Sequence, residues 1–216
     1  MASLRMTVFY GSVRTDRKGI RAARYVVAKC RERGHRVALF DPAVHRLPLL
    51  DRMYKEFDPP EAAPAMLRLV ADAVVPADAY VVVSGEYNHN VPPALSNVLD
   101  HFLEEYFRKP SAIVCYSAGA FGGVRAAVAL RSMLAEMGMS SIPTILPIPK
   151  VQDAFDSEDA PTDARLEKRT DRLLEELEWY AHALKKARDP APDAEEESDR
   201  RFDGAVTALE KAERGG

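Results

Sequence analysis

The amino-acid sequence predicts an α/β sandwich: a parallel sheet with helices on both faces. Three observations carry that expectation. Short apolar runs alternate with helical patterns along most of the chain. Stretches such as "AYVVVSG" are β-branched and apolar throughout, without the polar alternation of a half-exposed strand. Polar, glycine-bearing junctions mark the points where strands hand over to helices. With 216 residues, 47% of them hydrophobic and 29% charged, the chain has room for one ordinary domain and an extension.

The elements follow in order. "LRMTVFY" (4–10) is the first strand. Over 19–33, Ile20, Ala23, Val26, Val27 and Cys30 fall on one helical stripe, and Gly34 stands where a helix commonly ends. "HRVALFD" (35–41) is the second strand, followed by a proline- and charge-rich loop from Pro42 to about Pro60. A helix is expected over 63–75, a third strand over 79–85 and a helix over 94–107. "SAIVCYS" (111–117) is the fourth strand, and Gly138 closes a helix over 124–138. The fifth strand, 140–148, carries Pro143 and Pro147, which push it to a sheet edge. A last helix is expected over 161–187, with Leu166, Leu173, Leu174, Leu177, Ala181 and Leu184 on its stripe. These five strands imply a three-layer α/β/α sandwich with right-handed crossovers. The expected order is flavodoxin-like, 2-1-3-4-5, or that of half a dinucleotide-binding sheet. Both put ligands at the C-terminal ends of the strands.

Residues 1–188 are read as one domain and 189–216 as an acidic, disordered extension. That extension has nine acidic and four basic residues, which leaves the body at +2 within a net charge of −3. "FDGAVTALEKAE" is the one stretch of it with helical character. A nearly balanced body argues against a general nucleic-acid or membrane-surface binder, and no apolar run approaches the ~20 residues that span a bilayer. The two cysteines, Cys30 and Cys115, lie in apolar periodic segments without Cys-x-x-Cys spacing. They read as buried reduced thiols, which suits a cytoplasmic location. "MASLRMTVFY" lacks the apolar stretch of a secretion signal.

Three loops follow strands one, three and four. In the first, "GSVRTDRKG", Ser12, Arg14, Arg17 and Lys18 precede a helix that begins near Gly19 and Ile20. It matches neither G-x-x-x-x-G-K-[ST] nor G-x-G-x-x-G. Free amides at a helix N-terminus together with arginine forks attract an anion; the bland alternative is a solvated basic turn. In the second, "SGEYNHNVPPAL", Tyr87 offers an aromatic wall and Asn88 donors and acceptors for a planar heterocycle; an ordinary capped turn is the alternative. His89 has no second histidine or cysteine at ligand spacing, so no metal site is expected. In the third, "YSAGAFGGVRAA", Gly119, Gly122 and Gly123 let backbone approach a ligand closely or simply make a tight turn.

Taken together, "GSVRTDRKG", "GEYNHNVPPALSNVLD" and "YSAGAFGG", in this order after these strands, resemble the NADPH-dependent FMN reductase family over about residues 4–145. The resemblance implies a flavodoxin-like FMN protein acting on free flavins, quinones, azo dyes or metal oxyanions, with NADPH or NADH as co-substrate. It implies that Ser12, Arg14, Arg17, Gly19 and Ile20 hold the FMN phosphate, with Lys18 as a further cation of the loop. Glu86, Tyr87, Asn88 and His89 would border the isoalloxazine ring on one side, and Ser117, Gly119, Gly122 and Gly123 on the other. Gly85 stands where the family usually has proline, a departure that predicts a looser second loop. No nucleophile–base pair is evident, and none is needed where the cofactor carries the hydride chemistry; no catalytic side chain is named, and His89 as a proton donor is a minor alternative. An electron carrier without NAD(P)H turnover is the competing reading, disfavoured by the slightly basic body; a nucleic-acid contact is a third. The resemblance further implies homodimers, in some members paired into tetramers, and the wide apolar face of 94–107 offers either a core or an interface.

Overall fold

A computed structural model describes residues 2–188 and 192–215. Its sheet has five parallel strands, Arg5–Tyr10 (β1), Arg36–Phe40 (β2), Ala79–Gly85 (β3), Pro110–Tyr116 (β4) and Ser140–Ile148 (β5), in the order β2-β1-β3-β4-β5. The proline-bearing β5 lies at an edge, and its pairing with β4 slips between Ser111 and Ile113. β1, β3 and β4 are buried along their whole lengths, as their apolar runs require. Successive side chains divide between two cores because a strand alternates its faces. Val8, Tyr10, Val81 and Val83 pack under helices α1 (Ile20–Glu32) and α5 (Ala164–Arg188). Phe9, Tyr80 and Val82 pack under α2 (Ala65–Val74), α3 (Pro93–Asp100) and α4 (Val124–Glu136).

Local chemistry ends two of these helices in the same way. At Gly34, φ is +87°; its amide donates to the Arg31 carbonyl and that of His35 to the Cys30 carbonyl. Gly138, with φ +78°, repeats the pattern with Met139 onto Ala135 and Leu134. These are Schellman closures, which need a left-handed residue that glycine adopts without steric cost. Both cysteines are buried and free, and burial pushes each thiol up to about 12.

Two expectations are corrected. The helix expected over 94–107 stops at Asp100, and a 3₁₀ turn over Glu104–Tyr106 follows. The Glu105 carboxylate accepts the Leu103 amide, and the break turns the fully buried Tyr106 edge-on against Tyr80 at 5.2 Å. Leu95, Val98, Leu99 and Phe102 are likewise buried in the chain's own core, so the wide apolar face is not left open. The second correction concerns the acidic extension. Residues 189–191 and 216 lie outside the described residues, but Pro192–Gly215 form helix α6 rather than a disordered segment. Phe202, Ala205 and Leu209, spaced i, i+3 and i+7, put one buried stripe against β2 and α2. The acidic residues answer cations of the body: Asp199 accepts from Arg5 and Arg36, and Glu210 from Arg31.

Candidate functional site

The C-terminal ends of β1, β3 and β4 bring the three loops together. In the first loop, residues 15–16 form a turn that engages the Arg17 amide, whereas the amides of Val13, Thr15, Asp16, Lys18 and Gly19 carry no hydrogen bond to another described residue. Those of Ile20 and Arg21, by contrast, close the first turn on the Arg17 and Lys18 carbonyls. An array of free N–H groups at a helix start is a ready anion cradle. Arg14 is exposed and has no ion-pair partner among the described residues. Lys18 is also exposed and, among the described residues, pairs only with Asp16 at 2.8 Å.

Arg17 is placed differently. Its guanidinium forms an ion pair with the buried Asp41 at the end of β2, and it lies 5.7 Å from the centroid of the Tyr10 ring. Asp41 also accepts the Ala43 amide at 3.0 Å, and its own amide donates to Nδ1 of the buried His45 at 3.0 Å. His45 then reaches the Leu209 carbonyl of α6 through Nε2 at 3.0 Å, which makes Nε2 the protonated nitrogen. Ser12 is buried, and its hydroxyl meets that of Tyr87 at 2.7 Å, which joins the first loop to the second.

The second loop is a tight reversal. Tyr87 and Asn90 exchange both backbone hydrogen bonds at 3.0 Å, and Asn88 and His89 at its tip have φ of +51° and +62°. Paired left-handed residues make a hairpin turn of the primed type, and both side chains are exposed. Glu86 turns the other way: it accepts the backbone amide of Arg125 at 3.2 Å and its guanidinium at 2.8 Å. Burial raises the Glu86 carboxyl, but the Arg125 contacts outweigh this and hold it below the usual carboxylate range. Gly85 is the last residue of β3, paired with Tyr116 of β4.

In the third loop, the amide of Ser117 donates to the Ile148 carbonyl and its hydroxyl to that of Gly119, at 3.2 and 3.1 Å. Gly119 is exposed, and a Cβ there would meet nothing within 4 Å. Gly122 and Gly123 take φ of +64° and +80° to turn the chain into α4. Phe121 stands exposed with the Arg125 guanidinium 4.3 Å from its ring centroid.

The structure joins the first loop to the second through Ser12 and Tyr87, directs Arg17 to Asp41 and Glu86 to Arg125, and leaves Arg14, Lys18, Asn88, His89 and Gly119 open to solvent. Sequence reading missed Tyr10, Asp41, Tyr116 and Arg125. Each is the partner of a residue it did single out, and only the position of Tyr10 and Tyr116 at the very ends of strands hinted at them. The loops fit the phosphate ester of a flavin nucleotide: a cradle of unpaired amides, a free arginine, and two glycine-bearing loops near the same sheet ends.

A doubly wound sheet in this order, with loops gathered after β1, β3 and β4, defines a flavodoxin-like α/β protein. The chain belongs to the NADPH-dependent FMN reductase family, whose model matches residues 4–153. It is similar to a quinone reductase of Pseudomonas putida, 35% identical over 92 residues that make up 40% of this chain and 50% of that protein. It is also similar to an NADPH azoreductase of a Bacillus species, 32% identical over 125 residues, 56% of this chain and 67% of that protein. The match thus spans about half the length of the first of these relatives. Among solved structures, FerB, a flavoenzyme NAD(P)H:(acceptor) oxidoreductase from Paracoccus denitrificans, shares the fold with a TM-score of 0.66 and 22% identity, covering 82% of this chain and 98% of that one.

Proposed function

We propose that this protein is an FMN-dependent oxidoreductase that takes hydride from NADPH or NADH and passes electrons to a small-molecule acceptor: a flavin, a quinone, an azo compound or a metal oxyanion. The observation that carries the reading is the set of amides at Val13, Thr15, Asp16, Lys18 and Gly19 that carry no hydrogen bond to another described residue, beside an Arg14 side chain with no ion-pair partner among those residues, in a chain of this family. Bound FMN supplies the hydride and electron chemistry itself. The protein's part is to anchor and orient. The amide row, Arg14 and Lys18 bind the ester, and Arg17, held by Asp41, shapes the loop from below. Glu86, Tyr87, Asn88 and His89 form one wall of the ring site, and Ser117, Gly119, Gly122 and Gly123 the other. No side chain is assigned a proton-transfer role.

The same reading extends to a homodimer, or a tetramer built from dimers, supported by the exposed apolar Phe121 and Val128 beside the site. It also extends to a cytoplasmic location, supported by the two buried, unpaired cysteines. No helix among the described residues is long and apolar enough to cross a membrane. The test is an absorbance spectrum of the purified protein followed by anaerobic titration with NADPH and with NADH. Yellow protein bleached by either nucleotide is the expected result. Yellow protein that neither bleaches is a carrier, and protein that takes up no FMN overturns the reading.

A further inference from the structure

Two glycines in the site are not explained by their own backbone. Gly19, the N-cap of α1, has φ −66° and ψ −11°, right-handed values that any residue adopts. Gly85 lies in β3 and is not among the glycines with positive φ. What crowds a side chain at each, prohibitively at Gly19 and tightly at Gly85, is one ring. A Cβ on Gly19 would fall 2.1 Å from Cζ of Tyr116, and a Cβ on Gly85 would fall 3.1 Å from Cζ and from the hydroxyl of the same residue. The phenol of Tyr116 thus fills the space between the start of α1 and the end of β3.

That ring is also wired into the first loop. The Tyr116 hydroxyl donates to that of Tyr10 at 3.2 Å, and the two rings stack with centroids 6.2 Å apart at 19°. The Ser12 hydroxyl faces both phenols and meets a third at Tyr87. Arg17 completes the stack over Tyr10. Burial raises the Tyr10 and Tyr116 phenols, so both remain O–H donors at neutral pH. The hydroxyls of Tyr10, Ser12, Tyr87 and Tyr116 form one cluster, and the two hydrogen bonds of defined geometry engage two of their four protons.

We propose that Tyr116 is a positioning residue for the ester end of the flavin: its ring props the start of α1 against β3, and its hydroxyl, through Tyr10 and Ser12, sets the donor geometry of the first loop. This rests on the FMN reading above. The side chain acts through the loop and touches no reacting atom.

The test compares FMN with riboflavin, which lacks the phosphate, by fluorescence titration of flavin-free protein, together with thermal unfolding of that protein. Tyr116→Phe keeps the ring and removes the hydroxyl. Its FMN Kd is expected to rise about tenfold, the effect of one lost hydrogen bond in a polar network, with the riboflavin Kd unchanged. An unchanged FMN Kd, or FMN and riboflavin weakened in equal proportion, overturns the proposal. A second set tests the ring alone. Gly19→Ala is expected to lower the Tm and weaken FMN, and to lower the Tm by less when introduced into a Tyr116→Ala protein, whose own Tm is reduced by the lost core packing, than when introduced into the parent. A Gly19→Ala protein as stable as the parent, or an equal loss of Tm in the two backgrounds, overturns it. If the parent protein binds neither flavin, the cofactor reading fails, and the glycine variants still decide the propping role by their Tm.

Discussion

Replacing Phe202 by alanine tests whether the acidic C-terminal segment is part of the folded unit. Phe202 is fully buried, and Leu209 and Ala205 beside it are 1% and 2% exposed, all facing β2 and α2. A buried phenylalanine cut to alanine costs about 3–5 kcal/mol, from lost transfer energy and the cavity left behind. That is a large share of the roughly 5–15 kcal/mol that holds a typical domain together. In a chain of this size each kcal/mol moves the midpoint by about 2–4 °C, so the expected fall is roughly 6–20 °C. Urea unfolding followed by circular dichroism should show one cooperative transition with a lower midpoint and an unchanged slope. Glu197→Gln, exposed on the same helix, is the control and should stay within about 0.5 kcal/mol of the parent. A Phe202→Ala protein that unfolds like the parent, or that loses only helical signal at low urea while the rest melts unchanged, would show that α6 contributes nothing to the core and that the packing argument is wrong.

Further outcomes follow from the site. Arg14→Ala should weaken FMN by about 10- to 100-fold, the effect of one charge-assisted contact, and leave riboflavin binding and the Tm of the flavin-free protein unchanged; fluorescence titration reads the first and calorimetry the last. Glu86→Ala removes the acceptor of two Arg125 hydrogen bonds and should cost about 1–3 kcal/mol in urea unfolding, with faster proteolysis at the Asn88–His89 tip. Burial lowers the pKa of His45 below its ordinary 6.5, outweighing its contacts with Leu209 and Asp41. The unfolded chain therefore binds that proton more readily. The stabilisation from neutral His45 is complete above about pH 6.5 and falls away as the pH drops through the lower folded-state value. His45→Gln should flatten this part of the stability–pH curve, and a curve of unaltered slope in the variant would assign the dependence to other groups.

How much was legible in the sequence differs from element to element. β3 was legible because "YVVV" is apolar at every position, and that pattern suits only a strand covered on both faces. The ends of α1 and α4 were legible because Gly34 and Gly138 adopt backbone angles that few other residues tolerate. The early stop of α3 was not, because 94–107 keeps a helical apolar period and the break depends on where Tyr106 meets Tyr80. For α6 the acidic composition outweighed the i, i+3, i+7 stripe, and only the cations of β1, β2 and α1 show what the acidic residues are for.

By itself, the sequence determined the alternation of strands and helices, the edge position of β5 and the location of the three loops, because each depends on periodicity or on a residue's own backbone freedom. Only the tertiary structure decided that Arg17 turns to Asp41, that His45 ties that pair to α6, and that the Tyr116 ring is what Gly19 and Gly85 make room for. Apart from the four-residue step between Asp41 and His45, those contacts join residues 24 to 164 positions apart, and no local pattern encodes a partner at that separation. It is chosen when the sheet brings its strand ends together and close packing leaves one arrangement of side chains that fits.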